Sequence, residues 1–224
     1  MNNSSLNVRG LLEGAVDVLR RNPVAAGVFV MANAVIGAFA IWLQAAELNL
    51  ALAMLVSFAI ASPVASLFIM ALGGNLRALV SDPIELVVRL VFSLMVSLLI
   101  TLVSAIAAIA FLIPGLYVNA RLMLAAPLVL LEGRGIIQSM KDSWQMAEAI
   151  AWPLVGVSVI LAVPNIVLGI AGLYEPSLFS TELSALTIAQ ILIGASINAF
   201  GIAIAMFAYG ELAPPSNELS EVFA

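Results

Sequence analysis

The chain has 224 residues, of which 63% are hydrophobic and 9% are charged. A soluble domain is about 45–50% apolar and about 25% charged, so this composition excludes a soluble globular protein. The net charge of −5 offers no polybasic surface, so nucleic acid is not an expected partner. The apolar runs are continuous rather than alternating with period two, which favours transmembrane helices over a barrel.

The sequence contains no cysteine and no histidine. Disulfides, thiolate metal sites and cysteine nucleophiles are excluded, and the most frequent metal ligand and general base is missing. The acidic residues lie singly in surface segments, whereas hydrolytic sites need paired carboxylates or a metal cluster. We therefore expect no catalytic residue, no metal site and no cofactor, and we predict that the chain is not an enzyme.

Residues 1–22 are predicted to contain an amphipathic interfacial helix. Their apolar side chains recur at spacings of three, four and seven residues, and Arg9 with Glu13 forms an i,i+4 pair on the other side. Such a helix lies in the membrane interface rather than crossing the bilayer. The alternative is a short helix packed on the protein's own loops.

Six apolar runs follow, and together they predict a six-helix membrane domain over residues 23–209. The predicted spans cover residues 23–44, 50–73, 90–112, 116–131, 151–173 and 183–209. Residues 210–224 are predicted to form a polar cytoplasmic tail.

The connection before the third span contains a helix start signal. Asp82 suits the N-cap, Pro83 suits the first helical position, and Glu85 can reach back to the cap. The third helix is therefore predicted to begin at Pro83. Pro114 and Gly115 are predicted to break the chain between the third and fourth spans.

The positions of lysine and arginine predict the orientation of the spans. Seven of the eight positive residues fall on one side of the predicted topology: Arg9, Arg20, Arg21, Arg77, Arg89, Arg134 and Lys141. The positive-inside rule makes this side cytoplasmic. The predicted fold is thus an all-α polytopic helical membrane protein with six transmembrane helices, both termini inside, and cytoplasmic interfacial amphipathic helices.

A second amphipathic segment lies between the fourth and fifth spans. It is predicted to form a cytoplasmic interfacial helix that contains Lys141 and Trp144. Its predicted apolar face consists of Ile136, Ile137, Met140, Trp144 and Ala147.

Arg121 is the one ionisable residue well inside an apolar run. It follows Pro114 and Gly115 by about six residues, which places it roughly 9 Å into the membrane, just below the outer interface. Tyr117 and Asn119 are the predicted neighbours in a lipid or anion contact. Arg121 can bind a lipid phosphate, an anionic substrate or a buried carboxylate, or it can extend to the headgroups as an anchor. No acidic residue lies inside a predicted span, so a lipid phosphate is the expected partner.

Uncharged polar residues also occur inside the predicted spans. Asn33, Gln190 and Asn198 are expected to make hydrogen bonds between helices. The alternative is that they line a pore or a substrate path.

The stretch IPGLYVNARLMLAAPLVLLEGRGIIQSMKDSWQMA covers residues 113–147. It combines an Ile-Pro-Gly-Leu-Tyr turn, Arg121-Leu122, an Ala-x-Pro element, Glu132-Gly133 and a Lys-x-Ser-Trp helix. This pattern resembles the membrane domain attached to some bacterial glycerophosphoryl diester phosphodiesterases and the stand-alone YciC-like inner-membrane proteins. After Trp144 the chain departs from the basic, aromatic segment of that family.

The resemblance implies a multi-pass, six-helix protein of the bacterial inner (cytoplasmic) membrane, close to lipids or lipid-derived phosphodiesters. No soluble phosphodiesterase domain is present here, so the resemblance implies no enzymatic activity. We expect a non-enzymatic scaffold or accessory subunit that contacts membrane phospholipid, with a protein partner or a second copy of the chain. The alternative is a transporter or lipid-translocating protein with a polar path past Arg121, Asn119 and Asn33.

Overall fold

The computed structural model describes residues 6–46, 49–74, 81–110, 112–174 and 185–213. Within these ranges the chain is helical and contains no strand. The helices are α1 (Val8–Arg21), α2 (Pro23–Ala45), α3 (Leu50–Leu72), α4 (Pro83–Ala110), α5 (Leu112–Leu122), α6 (Ala125–Glu132), α7 (Ile136–Met146), a 3₁₀ turn (Ala147–Ile150), α8 (Ala151–Tyr174) and α9 (Ala185–Leu212).

Six stretches of the described chain are long and apolar enough to cross a membrane. They cover Pro23–Leu43, Leu55–Leu72, Pro83–Ser104, Pro114–Glu132, Ile136–Pro164 and Thr187–Leu212. The protein is therefore an all-α, multi-pass membrane protein. Helix α9 continues to Leu212, so the first residues of the predicted tail are helical, and residues 214–224 lie outside the described ranges.

The predicted start of the third helix is confirmed. Helix α4 begins at Pro83, and the Oδ1 atom of Asp82 accepts hydrogen bonds from the amides of Ile84 and Glu85, each at 3.1 Å. The carboxylate of Glu85 binds the guanidinium of Arg89 one turn further along the helix, instead of returning to the cap.

The third and fourth spans separate a few residues before the predicted helix break at Pro114 and Gly115. Helix α4 ends at Ala110 and α5 begins at Leu112, so both residues lie in the first turns of α5. Proline is tolerated there because the amides of the first turn have no carbonyl partner within the helix. A second interruption falls at Met123 and Leu124, between α5 and α6. The predicted fourth span, 116–131, is therefore built from two short helices.

Helix α1 packs against α8 and α9. Leu11 and Ala15 on its apolar face are fully buried in a cluster with Leu154 and Ile204. Transmembrane helices of the same chain, rather than its loops, thus cover this face. The position of α1 in the membrane interface stays a prediction. The predicted ion pair between Arg9 and Glu13 is present at 2.7 Å on the exposed side.

Close contacts fix how the helices pack. Gly14 of α1 lies so near Phe207 of α9 that an added Cβ would come within 2.5 Å of the ring. The hydroxyls of Ser66 on α3 and Ser93 on α4, both buried, form a hydrogen bond of 2.9 Å. Small and hydroxyl side chains of this kind allow close helix approach in membranes, where no hydrophobic force between helices is available.

Candidate functional site

Arg121 lies on the last turn of α5 and is 5% exposed. Its Nη1 atom donates a hydrogen bond of 3.0 Å to the hydroxyl of Tyr117. Its guanidinium carbon lies 4.6 Å from the centroid of the Trp144 ring, and its Nη2 atom lies 3.7 Å from a carboxylate oxygen of Glu148. The charge is therefore surrounded by α7 and the 3₁₀ turn of its own chain.

Aromatic rings enclose this guanidinium. Tyr117 precedes Arg121 by one helical turn, so both side chains project from one face of α5. The Tyr117 ring contacts Trp144 edge-on, with the ring centroids 6.2 Å apart, and lies 5.6 Å from the Trp152 ring. A cation over an aromatic face in a desolvated setting contributes about 2 kcal/mol. We call these five residues, Tyr117, Arg121, Trp144, Glu148 and Trp152, the arginine cluster.

This geometry bears on three expectations about Arg121. A protein carboxylate does reach Arg121. Glu148 supplies it from the 3₁₀ turn that follows α7, which lies outside the predicted spans. Arg121 contacts α7 and the 3₁₀ turn, which the charge pattern assigns to the cytoplasmic side, whereas its distance from Pro114 and Gly115 predicted a place just below the outer interface. Its depth in the membrane stays a prediction. Asn119 is exposed and lies two residues from Arg121, on a different side of α5.

Ser143 is a site residue that sequence reasoning missed. Its hydroxyl donates to the carbonyl of Arg121 at 2.8 Å and accepts from the amide of Leu124 at 3.2 Å. The interruption between α5 and α6 leaves these two backbone groups without helical partners in a buried place. The fully buried Ser143 satisfies both groups and so stabilises the interruption from another helix.

The predicted apolar face of α7 is confirmed at Ile136, Met140 and Ala147 and corrected at Ile137 and Trp144. The fully buried positions include Ser139 and Ser143, whereas Ile137 is 75% exposed and Trp144 is 38% exposed. Small serines allow α7 to pack closely on α5 and α6. Ile136 and Met140 pack against the cluster of Val96 and Val129, so only Ile137 and Trp144 of the predicted face are exposed. Lys141 is also exposed, on the outer surface of the helix.

A second polar cluster closes the far end of α6. Arg89 donates from Nη1 to the carbonyl of Leu130 at 2.7 Å, which satisfies a carbonyl that the helix end leaves free. Arg134 binds Asp142 at 2.5 Å and also binds Glu132. The hydrogen bond to Asp142 raises the pKa of Arg134 above its ordinary value, so this guanidinium stays charged.

The polar residues of the spans behave in two ways. The amide of Asn198 on α9 donates to the side chain of Asn33 on α2 at 3.3 Å, as expected for a hydrogen bond between helices. The Nε2 atom of Gln190 and the Nε atom of Arg121 are buried and have no hydrogen-bond partner in the described part of the chain.

By its all-helical fold and its six long apolar stretches, the protein is a helical integral membrane protein. No family model, no curated protein and no solved structure matches the chain. The resemblance of residues 113–147 to the phosphodiesterase-linked membrane domain therefore stays a prediction. Among the described residues, no group of three or more acidic side chains could hold a metal ion.

Proposed function

We propose that the chain is a non-enzymatic membrane module, a scaffold or accessory subunit in contact with phospholipid of the bacterial inner membrane. The supporting observation is the arginine cluster. Arg121 carries a permanent charge in an apolar environment, and Trp144 and Glu148 of the same chain surround it. A charge bound in this way holds α5 to α7 and is not displayed to a diffusing substrate.

The proposed lipid contact lies on the outer surface of α7 and its continuation into α8. Ile137, Trp144 and Trp152 are exposed there, together with the ammonium of Lys141. Tryptophan and lysine are the residues typical of the headgroup region, because each has an apolar body and a polar end. The lipid contact first expected at Arg121 is therefore assigned to these neighbours.

A transporter or lipid-translocating protein is the second candidate. Its support is a groove of about 340 Å³ between α2, α3 and α9, which Asn33 and Asn198 line. Arg121 is not among the lining residues of this groove, so the predicted path past Arg121, Asn119 and Asn33 is not one continuous groove here. Polar residues at such positions contribute about 0.6 kcal/mol each to helix association, which favours a packing role.

Native mass spectrometry of the gently extracted protein tests the proposal. We expect a stable oligomer or a stoichiometric protein partner, with phospholipid retained. Arg121→Ala is expected to lower stability without removing a specific lipid, whereas Arg20→Ala, an exposed charge in α1, serves as the control. A monomer carrying one exchangeable lipid or phosphodiester that Arg121→Ala releases would contradict the scaffold and favour transport.

A further inference from the structure

An apolar groove of about 670 Å³ runs between the first half of α2 and the second half of α3. Its walls include Val24 and Val28 of α2 and Leu67 of α3, all exposed. Phe29 and Phe68 are buried beneath, with their rings stacked at 4.3 Å. The volume falls within the range of about 300–1,000 Å³ typical of preformed ligand sites.

One end of the groove carries a positive charge. Arg21 and Asn22 line it just before α2 begins at Pro23. The side chain of Arg21 is exposed and forms no ion pair with any described residue. The adjacent Arg20 lines a different cavity, beside Glu13 and Asp17. The groove is thus apolar along its length and cationic at one end.

The length of the groove indicates the kind of molecule that fits. Its lining residues on α2 extend from Pro23 to Ala32. At 1.5 Å per residue this distance is about 14 Å, which is close to half of the roughly 30 Å hydrocarbon core. A segment of this length matches one leaflet and one lipid tail. A transmembrane helix of a partner would need a groove about twice as long.

We propose that this groove binds an anionic phospholipid of the cytoplasmic leaflet. One acyl chain lies along the Phe29–Phe68 floor, and the phosphate contacts the guanidinium of Arg21. The positive-inside pattern places Arg21 on the cytoplasmic side, where anionic lipids attract basic residues near the membrane surface. The site uses none of the residues of the arginine cluster, so it can fail or hold independently of the proposed function.

Native mass spectrometry with added lipid tests the site in the full chain. Phosphatidylglycerol and phosphatidylcholine with identical acyl chains are titrated against the wild type, Arg21→Gln and Arg20→Gln. We expect a resolved complex with one phosphatidylglycerol, and we expect Arg21→Gln to weaken it about five-fold to the level of phosphatidylcholine. Arg20→Gln removes the same charge one residue away and is expected to change binding less than two-fold.

Ala32→Trp tests the acyl-chain part, since it places a large ring in the groove. This variant is expected to weaken both lipids, while the secondary structure and the monodispersity of the protein stay unchanged. Equal binding of both lipids to the wild type overturns the proposal, as does an equal effect of the two arginine variants. A wild-type dimer that Ala32→Trp dissociates also overturns it, because the groove would then be covered by a second copy of the chain.

Discussion

The guanidinium carbon of Arg121 lies 4.6 Å from the centre of the Trp144 ring, although the two residues belong to different helices. The contact joins α5, which is part of the fourth predicted span, to the amphipathic α7. It explains why an otherwise apolar run contains an arginine, because the charge is used to attach one helix to another. Arg121 also donates a hydrogen bond to Tyr117 and forms an ion pair with Glu148, so the arginine cluster is expected to act as a unit.

The coupling between Arg121 and Trp144 can be measured with a double-mutant cycle. Arg121→Met and Trp144→Leu, made singly and together, are expected to give a coupling of about 1–2 kcal/mol in the free energy of unfolding. Unfolding by sodium dodecyl sulfate in mixed micelles provides the measurement. Trp42→Leu, in α2, is the control partner for Arg121→Met, and that pair is expected to be additive. An additive result for Trp144 would mean that the ring contributes only packing.

Ser143→Ala is expected to lower the free energy of unfolding by about 2 kcal/mol, because it leaves the buried Arg121 carbonyl and Leu124 amide unpaired. Ser139→Ala is the matched control. Ser139 is equally buried on the same helix, but its hydroxyl makes only a long contact of 3.4 Å to the carbonyl of Arg134. Equal losses for the two variants would show that burial, rather than the bridge across the interruption, determines the effect.

Gly14→Leu is expected to separate α1 from α9, since even a Cβ atom at this position would meet the Phe207 ring. Hydrogen exchange of the α1 amides should become faster, and Phe207→Ala should restore part of the protection. Gly27→Leu is the control, because an added Cβ there has no neighbour within 4 Å. If the exchange of α1 is unchanged in Gly14→Leu, the close approach of the two helices is not needed for docking.

The predicted orientation can be tested by cysteine labelling, since the chain has no cysteine of its own. In sealed vesicles with the cytoplasmic side inward, Ala46→Cys is expected to react with a membrane-impermeant maleimide. Lys141→Cys is expected to react only after the vesicles are opened. Both positions are exposed in the structure, so burial does not explain a difference. Labelling of Lys141→Cys in sealed vesicles would reverse the proposed topology.

The helical class and the positions of the apolar runs could be predicted because both follow from the composition of contiguous segments. The start of α4 was predictable for a similar reason, since the cap and the first turn are adjacent in sequence. The interruption at Met123 and Leu124 was not predictable. Neither residue breaks a helix by itself, and the stabilising group, Ser143, comes from a later helix.

The partners of Arg121 were missed for a related reason. The expected absence of a carboxylate partner rested on the predicted spans, whereas Glu148 reaches Arg121 from a connection. The apolar pattern of α7 was also misleading, because periodicity identifies a face but does not say whether lipid or protein covers it. In a membrane both environments are apolar, so small buried residues such as Ser139 identify the protein side better than large ones.

The interruption between α5 and α6 has a consequence for the synthesis of the chain. The ribosome completes Arg121 and its apolar surroundings before Ser143, Trp144 and Glu148 exist. At that moment the nascent segment carries an uncompensated charge and unpaired backbone groups, both of which are costly in lipid. We therefore expect the segment from α5 to α6 to stay at the insertion machinery until α7 emerges. This segment and α7 would then enter the bilayer together, as one preassembled unit.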